Sequence, residues 1–236
     1  MSKHLKRFSA PKYWRLQTKG AAFASKPSPG PHSGELCIPL VGIVRDFLAY
    51  ARDRREAKKI LQEGQILVDQ VVRKEHKYPA GLMDVISIKK TGEHFRLVPD
   101  PKGLRMQPIP GSEANMKLVR IVRKSWPSGG GLQLNLHDGS NMMLPATESA
   151  KYSVGDVLVV SLPDRKIKDH MKIEPGNVAF VCGGKNAGRV GIIKGVMKGQ
   201  PMQPTMVALS VEGGEFQTPE DFVFVIGVGK PKIKVD

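Results

Sequence analysis

The hydrophobic residues of this sequence change their period at Pro99-Asp100-Pro101-Lys102-Gly103. Ahead of that cluster they recur twice at helical spacing. Beyond it they alternate, or run in short blocks between glycines, as strands do. Helix and sheet seldom run through such a cluster, so it reads as a boundary. A chain of 236 residues has room for two or three small domains. The expectation is an α+β, multidomain chain whose helices all lie in the first half.

The most informative stretch ahead of the boundary is Asp53 to Val72. Asp53, with Glu56 three residues on, reads as a helix N-terminus with a capping box. Ala57, Ile60 and Leu61 share one side, while Arg54, Arg55, Lys58 and Lys59 form a cationic face. Arg54–Lys58 and Arg55–Lys59 are like-charged pairs four apart, which cost stability unless a polyanion or solvent screens them. Gly64 is placed for a left-handed cap. Ile66 and Val68 then alternate into a strand, with Asp69-Gln70 as the turn into Val71-Val72. This order of parts resembles the S-four-type RNA-binding domain, carried by Arg55-Glu56-Ala57, Ile60, Gly64 and Ile66 through Asp69. The resemblance implies a basic helix and hairpin that grip structured RNA, and Arg73 and Lys74 beyond the hairpin are counted with them.

Upstream, Leu40, Ile43, Val44, Phe47, Leu48 and Ala51 mark a helix beginning at Ile38, with Pro39 in its first turn and an apolar stripe for the core. Gly81 to Ile88 reads as one strand, with a partner in Glu93 to Val98, closing a unit of about 60 residues. Residues 1–35 hold seven Lys/Arg against the single acid Glu35 and are rich in Pro, Gly and Ser. Such a segment cannot fold alone. Phe8, Tyr13 and Trp14 are nevertheless interleaved with Lys6, Arg7, Lys12 and Arg15. Cations find phosphates and aromatic planes find unstacked bases, so the arm suits RNA. The alternative is a strap whose aromatics pack back on the body.

Past the boundary, Lys117–Arg123 is a strand carrying Lys117, Arg120 and Arg123, with Lys124 next. Leu132–His137 alternates strictly, and Asp138-Gly139 is a hairpin turn into Asn141–Leu144. Val157–Leu162 is a continuous apolar strand. Further strands are expected at Val178–Cys182, Val190–Ile193, Val207–Val211 and Phe222–Ile226. The loop Gly183 to Arg189 nearly spells a phosphate-cradling P-loop. Arg189 stands where that motif needs Lys, however, and Val190 where it needs Ser or Thr, and a strand follows instead of a helix. Hydrophobic strand, Gly-Lys-Asn-Ala-Gly-Arg-Val-Gly, hydrophobic strand is instead similar to the KOW motif of SH3-like barrels. There Lys185, Asn186 and Arg189 would reach a phosphate backbone, and Gly188 would supply a conformation closed to other residues.

The charge excess, 37 Lys plus Arg against 22 Asp plus Glu for a net +15, points to a polyanion partner or an anionic surface. No apolar run approaches the roughly 20 residues of a membrane span, and the basic N-terminus lacks the apolar stretch of a secretory signal. A soluble cytoplasmic protein is expected, without membrane partner. Cys37 and Cys182 stand apart from any Cys/His cluster, the six histidines make no ligand spacing, and no nucleophile elbow occurs. No metal, cofactor, small-molecule substrate or catalytic residue is assigned.

Taken in order, these parts resemble the S-four-e family of small-subunit ribosomal proteins of archaea and eukaryotes. Lys3-His4-Leu5-Lys6-Arg7-Phe8, Ala10-Pro11-Lys12-Tyr13-Trp14 and Gly30-Pro31-His32 carry the opening motif. The short C-terminus suggests the archaeal form. The resemblance implies a basic extension (1–37), a small α/β S-four-type RNA-binding domain (38–98), a central antiparallel β domain (99–173) and an SH3-like β-barrel with the KOW motif and a basic tail (174–236). It implies a structural, non-enzymatic component of the ribosome that binds small-subunit ribosomal RNA and touches neighbouring small-subunit proteins. The RNA-binding residues would be Lys6, Arg7, Lys12, Tyr13, Trp14, Arg15, Arg54, Arg55, Lys58, Lys59, Arg73, Lys74, Lys185, Asn186 and Arg189. Two other classes stay open: a KOW-type transcription elongation factor, and an RNA-modifying enzyme carrying an S-four-type domain.

Overall fold

The protein, seen as a computed structural model, is described over residues 4–17, 19–128, 130–199, 203–211 and 214–234; Lys3 of the opening motif falls outside them. Two compact units divide it: residues 1–98 with 102–115, and residues 99–101 with 116–236. Strand dominates throughout, and the helices are confined to the first unit apart from single 3-10 turns.

In the first unit, Leu5–Lys6 (β1) pairs antiparallel with Phe23–Ala24 (β2), folding the N-terminal segment on itself. Cys37–Pro39 (β3) is fully buried strand, where the sequence suggested that a helix begins at Ile38. A residue before proline is driven to extended backbone, and Ile38 pairs with Ala80. Helix α1 runs from Leu40 to Gly42 and loosens into a π turn over Ile43–Phe47. Its opening amides do not go unpaired: Leu40 N–H donates to the Tyr78 carbonyl and Val41 N–H to that of His76. Leu40, Ile43 and Val44 are buried as the stripe requires, with Ala57 and Leu61 of α2 (Arg54–Gln62) in the same core.

Ile66–Val68 (β4) and Val71–Val72 (β5) form the expected hairpin. Pro79–Gly81 (β6) pairs with β3, and Val85–Ile88 (β7) pairs with β4. The single strand expected over 81–88 is therefore two. Asp84 breaks it: buried, it accepts the Gly81 N–H at 2.9 Å and faces His32 Nε2 at 3.1 Å through both oxygens. His94–Asp100 (β8) and Gly103–Ile109 (β9) complete a sheet ordered β5-β4-β7-β8-β9. The proline-glycine cluster thus serves as the turn between two strands. Pro101-Lys102 fills the corner, and Gly103 adopts φ +140, a region side chains avoid. Arg96 is wholly buried on β8 and is neutralised by Glu113 at 3.0 Å.

The second unit is antiparallel. Met116–Ser125 (β10), Gly131–Leu136 (β11), Asn141–Pro145 (β12), Val157–Ser161 (β13) and Ile167–Met171 (β14) form a sheet ordered β12-β11-β10-β13-β14. Val119, Ile121, Leu132, Leu134, Leu136 and Leu158 build its core. Asn177–Val181 (β15), Val190–Met197 (β16), Met206–Val211 (β17), Gly214–Pro219 (β18) and Val223–Val228 (β19) form the other sheet, ordered β18-β17-β16-β15-β19. Strands β14 and β18 escaped the sequence because Lys-Asp-His and Glu-Phe-Gln-Thr lack an apolar alternation; both lie at sheet edges.

Candidate nucleic-acid interface

Helix α2 starts at Asp53, whose backbone is extended but whose carboxylate makes no capping hydrogen bond. Glu56 instead accepts the Arg52 N–H at 2.9 Å, so only the acidic half of the capping box forms, shifted by one residue. Gly64 closes the helix at φ +71, with its N–H on the Leu61 carbonyl. The turn that follows holds Asp69 and Gln70 at φ 52 and 64, the left-handed pair of a type I′ hairpin. Asn-Gly would take this shape at less cost. Tertiary bonds hold the actual pair: Asp69 Oδ1 accepts the Val85 N–H, and Gln70 Nε2 donates to the Ala114 carbonyl.

This frame presents the cations. Arg54, Arg55, Lys58 and Lys59 are all exposed, and none forms an ion pair among the described residues. Arg54 donates to His76 Nε2 at 2.9 Å. His76 sits below the usual histidine range. Burial depresses it and, although Glu75 pulls the other way, the charges of Arg54, Lys58 and Lys77 depress it further. Lys77, passed over in the sequence, thus stands among the cations near His76. Arg73 lies over the Tyr78 ring, 4.8 Å from its centroid, and Lys74 is exposed beside it.

The arm divides by side chain. Trp14 is 3% exposed, within the core of α1 and α2, and Nε1 donates to the Cys37 carbonyl at 2.9 Å. Tyr13 donates to the carbonyls of Glu35 and Cys37, and burial raises its hydroxyl to about 12. Trp14 is too deeply buried to stack on a base and leaves the RNA-binding set, while Tyr13 is half-buried against the same core with its hydroxyl engaged, so the two rings act as the packed strap. The reason is chemical, since indole and phenol bring a donor that a buried carbonyl needs, whereas Phe8 has none. Phe8 is 91% exposed, with the Arg7 guanidinium 5.2 Å from its centroid. Lys6, Lys12 and Arg15 are exposed, Arg15 lying over the Phe47 ring.

In the second unit the loop between β15 and β16 carries Lys185 and Arg189 exposed and Asn186 half-buried. Gly188 adopts φ +81, and a Cβ there would meet Pro101 at 2.5 Å, so glycine is required twice over. The cations of β10 have other work. Lys117 is buried against Asp138 at 3.2 Å, Arg120 reaches the carbonyls of Glu220, Asp221 and Val223, and Lys124 donates to those of Ser149 and Tyr152. Burial alone would raise Asp138. Lys117, with help from Ser140, His137 and Arg165, holds it at about 2. Only Arg123 of this group is exposed. Among the described residues no cluster of three or more His, Cys, Asp or Glu could hold a metal ion, and no helix is long and apolar enough to cross a membrane.

A family model described as Ribosomal family S4e matches residues 91–167, and one described as the RS4NT (NUC023) domain matches residues 1–35. The small ribosomal subunit protein eS4 of Aeropyrum pernix is 43% identical, covering 99% of this chain and 95% of the relative. That of Methanococcus aeolicus is 40% identical, covering 99% and 97%. Among solved structures, the 30S ribosomal protein S4e of Thermoplasma acidophilum superposes with a TM-score of 0.68 at 34% identity, over 80% of this chain and 94% of that one. On full-length similarity to these archaeal proteins, the chain belongs to the ribosomal protein S4e family.

Proposed function

We propose that this protein is a structural constituent of the small ribosomal subunit that binds ribosomal RNA, chiefly through backbone phosphates. The observation that carries the reading is the α2 face: four exposed cations stacked on one short helix with no ion pair to a carboxylate among the described residues. A fold tolerates such stacking where an anion of matching extent lies against it. Phosphates meet Arg54, Arg55, Lys58 and Lys59 on α2, and Arg73 and Lys74 beyond the hairpin. Lys6, Arg7, Lys12 and Arg15 reach RNA from an arm that Tyr13 and Trp14 fasten to the body. Phe8 takes the stacking role that the buried Trp14 cannot. Lys185, Asn186 and Arg189 make a further contact from a KOW-type loop.

On this reading residues 38–98 act as the S-four-type RNA-binding module, 99–173 as a central β domain and 174–236 as an SH3-like barrel. The protein resides in the cytoplasmic ribosome beside other small-subunit proteins, and it performs no catalysis. The family membership supports this over the transcription-factor and RNA-modifying readings, because the relatives match from end to end and are named as ribosomal proteins. The test is binding of the full chain to small-subunit ribosomal RNA and to an unrelated RNA of equal length, across a salt series. Tighter binding to the ribosomal RNA, weakening steeply with salt, is expected. Equal, weak binding to both would contradict the proposal.

A further inference from the structure

The second unit carries a polar and cationic surface that neither the α2 face nor the KOW-type loop includes. The register pairs Arg123 with Asn135 and Asn135 with Asn141, and likewise Ser125 with Gln133 and Gln133 with Met143. Leu132, Leu134 and Leu136 fill the core from the alternate positions of β11, so these six residues share the outer face of β10, β11 and β12. No carboxylate stands among them. Their polar groups form a ladder: Ser125 Oγ donates to Asn135 Oδ1 at 3.1 Å, and Asn135 Nδ2 donates to Asn141 Oδ1 at 2.8 Å. Gln133 makes no side-chain hydrogen bond among the described residues, and Arg123 forms no ion pair.

Directly after Ser125 comes Trp126, 63% exposed, and Met143 on the face is 60% exposed. Lys124 ties the turn Ser149–Tyr152 to this end of β10, where Lys151 lies over the Tyr152 ring and Tyr152 OH faces Glu148 at 3.5 Å. An exposed indole, a guanidinium and a row of amides have a common ligand. Base faces stack on aromatic and guanidinium planes, amides read the donor–acceptor edges of unpaired bases, and cations take the phosphate. A protein partner would find here only scattered apolar groups, Val122, Trp126 and Met143, and not a continuous apolar patch. A duplex would hide the edges the amides can read.

We infer that the outer face of β10–β12, together with the exposed Trp126 just past the end of β10, binds a run of unpaired RNA nucleotides, the indole stacking on one base while Arg123, Gln133 and Asn141 engage the edges and phosphates of its neighbours. The inference rests on the RNA-binding reading above and adds a site to it. The tests use the full chain with small-subunit ribosomal RNA. Trp14 is buried, so any quenching of indole emission on adding RNA belongs to Trp126, and the signal should be missing from Trp126→Phe. Trp126→Ala should weaken binding about tenfold, with Trp126→Phe restoring most of it. Unchanged emission, with Trp126→Ala binding as tightly as the parent, would remove this site and leave the RNA reading standing. Failure of the parent chain to bind the RNA would remove both. Quenching by RNA-free small-subunit proteins but not by the RNA would overturn the inference in favour of a protein contact.

Discussion

Replacing Arg54, Arg55, Lys58 and Lys59 together by Ala separates stability from binding, because the two should move in opposite directions. All four side chains are exposed, and the hydrogen bond lost, Arg54 to His76, is at the surface. The change relieves two like-charged pairs at about 0.2–0.5 kcal/mol each and installs the best helix former. The first unit should therefore melt at the same temperature or a few degrees higher. Binding should suffer. Each phosphate contact contributes about 0.7–0.9 to the slope of log K against log salt, so four lost contacts flatten the slope by about 3. Over a fourfold rise in salt, that difference narrows the gap between parent and variant by about 60-fold. Filter binding to small-subunit ribosomal RNA at several salt concentrations, with a thermal melt of each protein, reads both quantities. A slope equal to the parent's would show that the α2 face does not meet phosphate, however much the affinity fell.

Trp14→Ala should destabilise the first unit by about 3–5 kcal/mol, chiefly through the cavity it leaves and also through loss of the indole hydrogen bond to the Cys37 carbonyl, which keeps Tyr13 as a donor, read by denaturant melts. It should also loosen the arm to protease, and a parent-like cleavage pattern would speak against the strap. Gly64→Ala places a side chain at φ +71 and 3.2 Å from Val72, so a loss of about 1–2 kcal/mol is expected, and none if the cap can rearrange. Asp138 sits at about 2 in the folded protein against 3.8 ordinarily, a depressed carboxylate. The stability it contributes is present above about pH 4 and is lost as pH falls toward 2. Lys117→Met should cost about 3–5 kcal/mol near neutrality by stranding that charge, and should flatten the acid limb between pH 4 and 2. An unchanged acid limb would refute the pairing.

Much of the first unit was legible because its signals are local. Arg54 to Gln62 forms its helix, Gly64 its left-handed cap, and Asp69-Gln70 its turn with the side chains the sequence shows. What was hidden depends on distant partners. Nothing near Asp84 in sequence announces His32, which helps explain why one expected strand is two. Pro99 to Gly103 carries the marks of a linker, yet it is the corner of a sheet, since a two-residue turn and an interdomain break share the same residues. The arm shows how far composition goes. Its cations stay at the surface as charge requires, but which of Phe8, Tyr13 and Trp14 goes inside is decided by carbonyls at Glu35 and Cys37 looking for donors. Lys117 and Arg123 lie six residues apart on one strand, one buried against Asp138 and the other exposed, a difference set by a bulge between Ile121 and Arg123 and by the pleat.

Whether the chain belongs to the small subunit is read by sedimentation of the tagged full chain through a lysate gradient, run at low and at high salt. The chain should travel with the small ribosomal subunit at low salt and be released only as salt screens the phosphate contacts. Migration with RNA polymerase, or as free protein at every salt concentration, would contradict it.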